Sequence, residues 1–373
     1  MATTAAATLP KPELQGVQTT PPMKITEPRR TRRVSPSGMK KGCLNLVLFY
    51  SNRAVREDSG WVAAGWIKES LMQALNNQPL LAGRLRKEGS EIMEIVSNDS
   101  GGRLLEATVA MGLEEFMEME EEVRAAAEAE LVFWKDIDQK NPHFSPLLYV
   151  QVTNFKCGGY SVGISCSLLL ADLLIADNFL QKWGEIHKEM ISTSAANLPI
   201  FYLPHMKPNG SFTLEAFSST PTRGQAHTFI LKITQPRDQL DHEEAQLAEL
   251  CMEEAHRRFG SEGKISSFRV VDLKEPPAVS EVKAWRPESE EKKPPPGGEG
   301  ITVGNATWKD LGIDEVSFYD GNKPAGVTCW VSWQNDDVLV MPIRDCGGFG
   351  GNGDVIVVVA VPGEEKSVTA IVF

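Results

Sequence analysis

The chain lacks any apolar run approaching the roughly 18 residues that a membrane-spanning helix needs, so none is expected. Positive charge is also scarce. The net charge of −12 argues against a nucleic-acid-binding surface, which needs a basic stripe to neutralise phosphates, though it leaves room for a local basic pocket for a phosphorylated cofactor. The six cysteines are scattered, with no CxxC and no Cys/His pair at ligand spacing, so no metal site and no disulfide framework are expected. Reduced, partly buried thiols in a cytoplasmic protein are the expected state. The six histidines (His143, His187, His205, His227, His242, His256) do not cluster either, and each is expected on the surface or satisfied in a core. No secretory apolar region opens the chain.

What is present suits an ordinary soluble globular protein. Its 373 residues, 42% hydrophobic and 24% charged, are enough for two domains or one large one. Ala2–Pro22 is rich in Ala, Thr and Pro, and Arg29-Arg30-Thr31-Arg32-Arg33 is a short basic cluster. Residues 1–36 are therefore expected to be a disordered leader. A transit peptide is opposed by the absence of arginine from the first stretch and by Glu13.

The most informative segment runs from Phe144 to Trp183. Two strand-like runs, Leu147–Phe155 and Tyr160–Ser167, flank the turn Lys156-Cys157-Gly158-Gly159. After Ser167 the period changes, and Leu173, Ala176, Leu180 and Trp183 share one helical face. The order is strand, turn, strand, junction, helix, with Asp172 at the junction. Read from the residues alone, Asp172 is a helix N-cap before Leu173, its carboxylate accepting backbone N–H bonds.

This segment resembles the centre of the plant BAHD acyl-CoA-dependent acyltransferases, whose His-x-x-x-Asp signature falls at the same junction. Asp172 matches, but the histidine position holds Leu168, and Leu173 stands where a glycine usually follows. In that family the histidine takes a proton from the acceptor hydroxyl or amine so that it attacks the acyl-CoA thioester, while the aspartate shapes the loop. A positioned base typically contributes about 10²–10⁴ in rate. Leucine has no lone pair to offer, so the resemblance implies the loss of ordinary His-dependent transfer. His143, just before the first of the two strands, is the one alternative base to test.

The resemblance extends in both directions. Pro79-Leu80-Leu81-Ala82-Gly83-Arg84-Leu85 is similar to a family phrase where the first helix turns into a strand, with Arg84 expected at a surface or between halves. Around it, Leu44–Tyr50 reads as a strand, Trp61–Leu75 as a helix with Ile67, Leu71, Ala74 and Leu75 inward, Glu91–Ser97 as a strand and Leu113–Trp134 as an acidic helix. Asn197–Gly224 suits a crossover. His227–Thr234 reads as a strand, Asp238–Phe259 as a helix, and Lys264-Ile265-Ser266-Ser267-Phe268 as the start of another, stopped by Pro276-Pro277. Trp285–Gly300 has no core-forming residue after Trp285 and is expected to be disordered.

From Ile301 the likeness resumes. Phe318-Tyr319-Asp320-Gly321-Asn322-Lys323-Pro324 is a degenerate form of the family's Asp-Phe-Gly-Trp-Gly-Lys-Pro motif, in which only Lys323 and Pro324 match by position. Strands follow at Val327–Trp333, Asp337–Pro342 and Asp354–Val361.

Two other motifs carry less. Gly348-Phe349-Gly350-Gly351-Asn352-Gly353 spells GxGxxG but runs into a strand rather than a helix, so a hairpin loop accounts for it better than a dinucleotide site. Gly163-Ile164-Ser165-Cys166-Ser167 lacks the closing glycine of a nucleophile elbow, and Cys166 reads as a buried, inert thiol.

The resemblance implies a chloramphenicol-acetyltransferase-like α/β fold. It has two related halves of mixed sheets packed on helices, at 37–196 and 225–373, joined by 197–224, with the second half shortened and 285–300 disordered. The decayed motifs and Phe155-Lys156-Cys157-Gly158-Gly159 are similar to the eceriferum-type branch, which assists very-long-chain fatty acid elongation for wax. That implies a monomeric accessory protein that binds acyl-CoA or a long acyl chain, with no other cofactor. A fatty-acid elongase component would be its partner, holding it at the endoplasmic reticulum surface. Two alternatives stay open: an active O- or N-acyltransferase with a non-standard base, and a truncated, non-functional product.

Overall fold

Strand-forming apolar runs and helical periodicity build a mixed α/β architecture in the computed structural model, which describes residues 11–34, 42–51, 60–88, 92–175, 178–193, 226–234, 244–259, 268–272, 278–282, 301–333, 338–343 and 354–362. In chain order these hold β1 (Glu13–Thr20), β2 (Thr31–Val34), β3 (Cys43–Tyr50), α1 (Gly60–Ala74), β4 (Arg84–Glu88), β5 (Ile92–Val96) and β6 (Gly102–Val109). Next come α2 (Leu113–Met117), α3 (Glu121–Ala129), β7 (Leu148–Phe155), β8 (Tyr160–Ser167), α4 (Ala171–Ile175) and α5 (Phe179–Thr193). The later part holds β9 (Ala226–Thr234), α6 (Glu244–Phe259), β10 (Phe268–Asp272), β11 (Ala278–Val282), β12 (Thr302–Ala306), β13 (Gly326–Ser332), β14 (Val338–Ile343) and β15 (Asp354–Pro362).

Among the described residues two six-stranded sheets form, in the orders β1-β6-β7-β8-β3-β13 and β11-β10-β14-β15-β9-β12, with a small third sheet β2-β5-β4. Both large sheets are mixed: β6–β7 and β10–β14 are parallel pairs within otherwise antiparallel ladders. The late strand β13 leaves its sequence neighbours and closes the edge of the first sheet against β3.

Strand β3 is buried along its whole length, which explains its unbroken apolar spelling. Leu44, Leu46, Leu48 and Tyr50 face the principal core beneath α1 and α5, where Ile67, Leu71, Ala74, Leu75, Leu180 and Trp183 meet them. Val47 and Phe49 face the other way, onto Phe116, Ala127 and Leu131. In the second sheet, Leu247, Ala248, Cys251, Met252 and Ala255 of α6 cover one face. The opposite face, with Leu339, Met341, Ile356 and Val358, joins the same principal core. The two halves thus share one apolar interior.

Three expectations need correction. Residues 13–20 and 31–34, within the expected disordered leader 1–36, are strands; β1 pairs with β6 and β2 with β5. Polar spelling hid β1 because an edge strand leaves most of its side chains partly exposed. The acidic helix expected over Leu113–Trp134 is two short helices interrupted near Glu118–Glu120, where like charges at helical spacing oppose a continuous turn. Phe268 begins a strand rather than continuing a helix; β10 pairs with β11 and β14, and Val270 and Val271 suit that ladder. The crossover 197–224, the Pro/Glu/Lys tract 285–300 and the glycine loop 348–353 lie outside the described residues.

Candidate functional site

The junction after β8 is a single 3-10 turn, Leu168–Leu170, running into the short helix α4. The turn is capped by Ser167, whose Oγ accepts the Leu169 N–H. Asp172 is the second residue of α4 rather than its cap, so the N-cap reading is corrected. Its carboxylate is engaged instead by Arg32 of β2, with Nη1 to Oδ1 at 2.9 Å and Nη2 to Oδ2 at 2.6 Å. Arg32 also donates from Nη1 to the Leu169 carbonyl at 3.2 Å, so one guanidinium grips both the turn and the helix. The register of β2 with β5 sets Arg32 opposite Ile95, which turns its side chain into the protein. The sequence shows Arg32 only as one of a short basic cluster in the expected disordered leader, and this role was missed; the available signal was the alternation with Arg33, which points out.

Leu168 itself is fully buried. A Cβ on Gly42 would lie 2.6 Å from its Cδ1 and 3.1 Å from Trp333 Cε3. Only glycine allows the chain leading into β3 to come this close. Position 168 is thus walled by Gly42 and Trp333, at the point where β3, β8 and β13 end together: Cys43 pairs with Ser167 and with Ser332.

Beside it lies a buried polar network that the sequence did not announce. Ser165 Oγ donates to Asn45 Oδ1 at 2.7 Å, and Asn45 Nδ2 donates to Ser332 Oγ at 2.9 Å. Cys43 Sγ approaches the same Asn45 oxygen at 3.5 Å. The only hint was a single asparagine inside an apolar strand. Burial pushes the Cys43 thiol far above its ordinary range, and does the same to Cys166, with the Asp172 charge adding to the shift. Neither sulfur ionises near neutral pH, so neither serves as a nucleophile.

The histidines are elsewhere. His143 is exposed in the turn Pro142–Phe144, its ring 4.0 Å from that of Phe144, and no described contact joins it to Leu168 or Asp172. His187 of α5 is wholly buried, its Nδ1 2.9 Å from Ser70 Oγ, which also accepts the Trp183 Nε1 proton at 2.9 Å. Burial lowers its pKa to about 3, so it is neutral. His256 meets the Met252 carbonyl within α6, and His227 is exposed. His205 and His242 lie outside the described residues.

The degenerate motif sits at the other end of β3. Gly326 pairs with Phe49 and Ser332 with Cys43, so Phe318–Pro324 enters beside Tyr50. Leu168 is a strand length away, about 20 Å at the usual rise. Phe318 is fully buried against Trp183 and Tyr50, Tyr319 flanks His187, and the Asn322 N–H returns to the Tyr319 carbonyl at 3.0 Å. Asp320 and Gly321 form the exposed turn, and Lys323 pairs with Glu315 at the surface before Pro324 leads to β13. These contacts dock a segment; none brings the motif to the junction. Arg84, expected at a surface or between halves, is buried and donates to the Gly83 and Ser100 carbonyls within the first half.

Among the described residues no helix is long and apolar enough to cross a membrane. A model of the Transferase family matches residues 42–264. Among curated proteins, Protein ECERIFERUM 26-like of Arabidopsis thaliana is 27% identical over 147 residues, 39% of this chain and 33% of its own length. Hydroxycinnamoyl-CoA:piscidic acid hydroxycinnamoyltransferase of Actaea racemosa is 34% identical over 123 residues, 33% of this chain and 26% of its own. The chain therefore spans about a third or less of the length of these relatives. The solved structure of vinorine synthase is 16% identical, with a TM-score of 0.46 over 95% of both chains. With more than half of its length matched, this chain belongs to the Transferase family, the BAHD-type acyltransferases.

Proposed function

We propose that this protein binds an acyl-CoA or a long acyl chain without carrying out ordinary His-dependent acyl transfer. One observation carries the reading: at the family's signature junction, beside a correctly spaced and firmly held Asp172, the base position is Leu168, buried against Gly42 and Trp333. A hydrocarbon side chain removes a proton acceptor and makes the surroundings more apolar, which disfavours chemistry and favours an acyl chain. Acyl-CoA is then a ligand, not a resident cofactor. The likeness to an ECERIFERUM protein supports an accessory role in very-long-chain fatty acid or wax metabolism. In that role the protein works as a cytoplasmic monomer beside an elongase component at the endoplasmic reticulum surface. Transfer by a substitute base gains no support from His143, which is exposed and has no described contact with the junction.

Titration calorimetry of the full chain with a series of long-chain acyl-CoAs tests the proposal. Binding is expected, because affinity for the ground state does not require the base. Absence of heat with every chain length would remove the acyl-binding role and leave the truncated, non-functional reading.

A further inference from the structure

The basic cluster Arg29–Arg33 is only partly explained by the Asp172 contact. Arg32 turns inward, but Arg29, Arg30 and Arg33 are exposed on a protein whose net charge is −12. The small sheet gathers further cations around them. Arg33 and Arg86 flank Glu94 across β2, β5 and β4, and Arg86 hydrogen-bonds Glu94 through Nε at 2.9 Å, so that carboxylate is already engaged. Lys24 is exposed on the chain before β2.

Beside these charges the chain presents apolar side chains outward and holds them there. Ile25 is 81% exposed and Met23 43%, the two most exposed large hydrophobics of this segment. The backbone carrying them is pinned on both sides. The Met23 N–H donates to the Met72 carbonyl at 3.0 Å and the Lys24 N–H to Asn76 Oδ1 at 2.9 Å. Thr26 donates twice to Asp99, from N at 3.0 Å and from Oγ1 at 2.6 Å. The next anchor is Arg30, whose N–H donates to Ser97 Oγ at 2.7 Å and whose carbonyl accepts the Ser97 N–H at 2.9 Å. A tethered isoleucine facing water, with the exposed Arg29 and Arg30 following just beyond Glu27 on a protein of net charge −12, combines the two signals by which peripheral proteins seat on anionic bilayers.

We propose that Met23–Arg33 and the outer face of the small sheet form a docking surface for an anionic phospholipid bilayer. Ile25 and Met23 enter the headgroup–acyl boundary, and Arg29, Arg30 and Arg33 lie among the phosphates. A purely acidic protein partner would use the arginines and leave Ile25 without a role, which is why the bilayer fits better. The acidic remainder of the chain is repelled by the same bilayer, so it fixes the orientation as well as limiting the affinity.

Sedimentation of the full chain with vesicles of phosphatidylcholine alone, and with equal parts of phosphatidylserine, tests this. Partition into the mixed vesicles should exceed that into phosphatidylcholine by at least about tenfold and fall steeply with salt. The variant Ile25→Ser should weaken it several-fold, and Arg29→Glu/Arg30→Glu/Arg33→Glu should abolish it. All four positions are exposed, and unchanged circular dichroism would show that the variants fold. Equal partition into both vesicle types, or none into either, would overturn the proposal. So would mixed-vesicle binding that neither variant alters. Binding to an acidic polypeptide that is lost in the arginine variant, untouched by Ile25→Ser and not matched by vesicle binding would assign the surface to a protein instead.

Discussion

Arg32 and Asp172, 140 positions apart, meet through two charge-assisted hydrogen bonds at 2.9 and 2.6 Å, with the Arg32 side chain 4% and the Asp172 side chain 16% exposed. The pair ties the signature turn to a strand near the start of the described chain, not to the second sheet. The frame around position 168 is therefore held partly from within the first half, through Arg32, and partly by Ser332 and Trp333 at the end of β13.

Breaking that pair should be costly on one side and cheap on both. Asp172→Ala leaves a buried guanidinium uncompensated and should lower stability by about 3 kcal/mol in urea unfolding. The double replacement Arg32→Met/Asp172→Leu, which removes both charges, should recover most of that loss. Equal destabilisation by the single and double variants would show that the two charges are not coupled.

Gly184 makes a prediction whose sign is diagnostic. In an exposed helix, Gly→Ala usually stabilises by about 0.5–1 kcal/mol. On α5, however, an alanine Cβ at 184 would stand 2.6 Å from the Ser317 carbonyl oxygen, a backbone atom of the segment leading into Phe318. Gly184→Ala should therefore lower the melting temperature. A rise would mean that the 313–319 segment does not rest on this helix face.

His187 sets an acid limit. Its folded-state pKa, lowered to about 3 by burial, is below the ordinary 6.5. Between those values the unfolded chain binds a proton that the folded one refuses, so stability is present above the upper value and is lost as pH falls. Each pH unit in that window should cost up to about 1.4 kcal/mol from this group. His187→Phe, which removes the titration, should flatten the slope of unfolding free energy against pH from 6.5 to 4. The unchanged slope would place the acid sensitivity in other groups.

Most of the strands and helices around the site were legible because their sequences obey one period each. Leu44–Tyr50, Tyr160–Ser167 and the three late strands were found within a residue or two, since burial on one or both faces leaves a clean apolar signature. Strands β1 and β2 were not legible. Their polar residues, Gln15, Gln18 and Arg32 among them, carry no period, and only pairing with β6 and β5 decides which side is covered. At the site, Leu168 and Asp172 could be located through the resemblance of their segment to the family's signature junction. Arg32, Gly42, Asn45 and Trp333 could not, because their contacts cross distant parts of the chain, and those of Asn45 and Trp333 depend on β13 crossing into the first sheet.

The claim that position 168 decides the chemistry is tested most directly by the release of free CoA thiol from a long-chain acyl-CoA. The assay compares the native protein, Leu168→Ala and Leu168→His, with and without a panel of alcohol and amine acceptors. The native protein and Leu168→Ala should both stay at the uncatalysed background. Leu168→His should rise above it in an acceptor-dependent way, by part of the roughly 10²–10⁴ that a positioned base supplies, at some cost in stability from an imidazole buried against Trp333. Acceptor-dependent release by the native protein that Leu168→Ala leaves unchanged would contradict the account and require a base elsewhere, with His143 the first to replace.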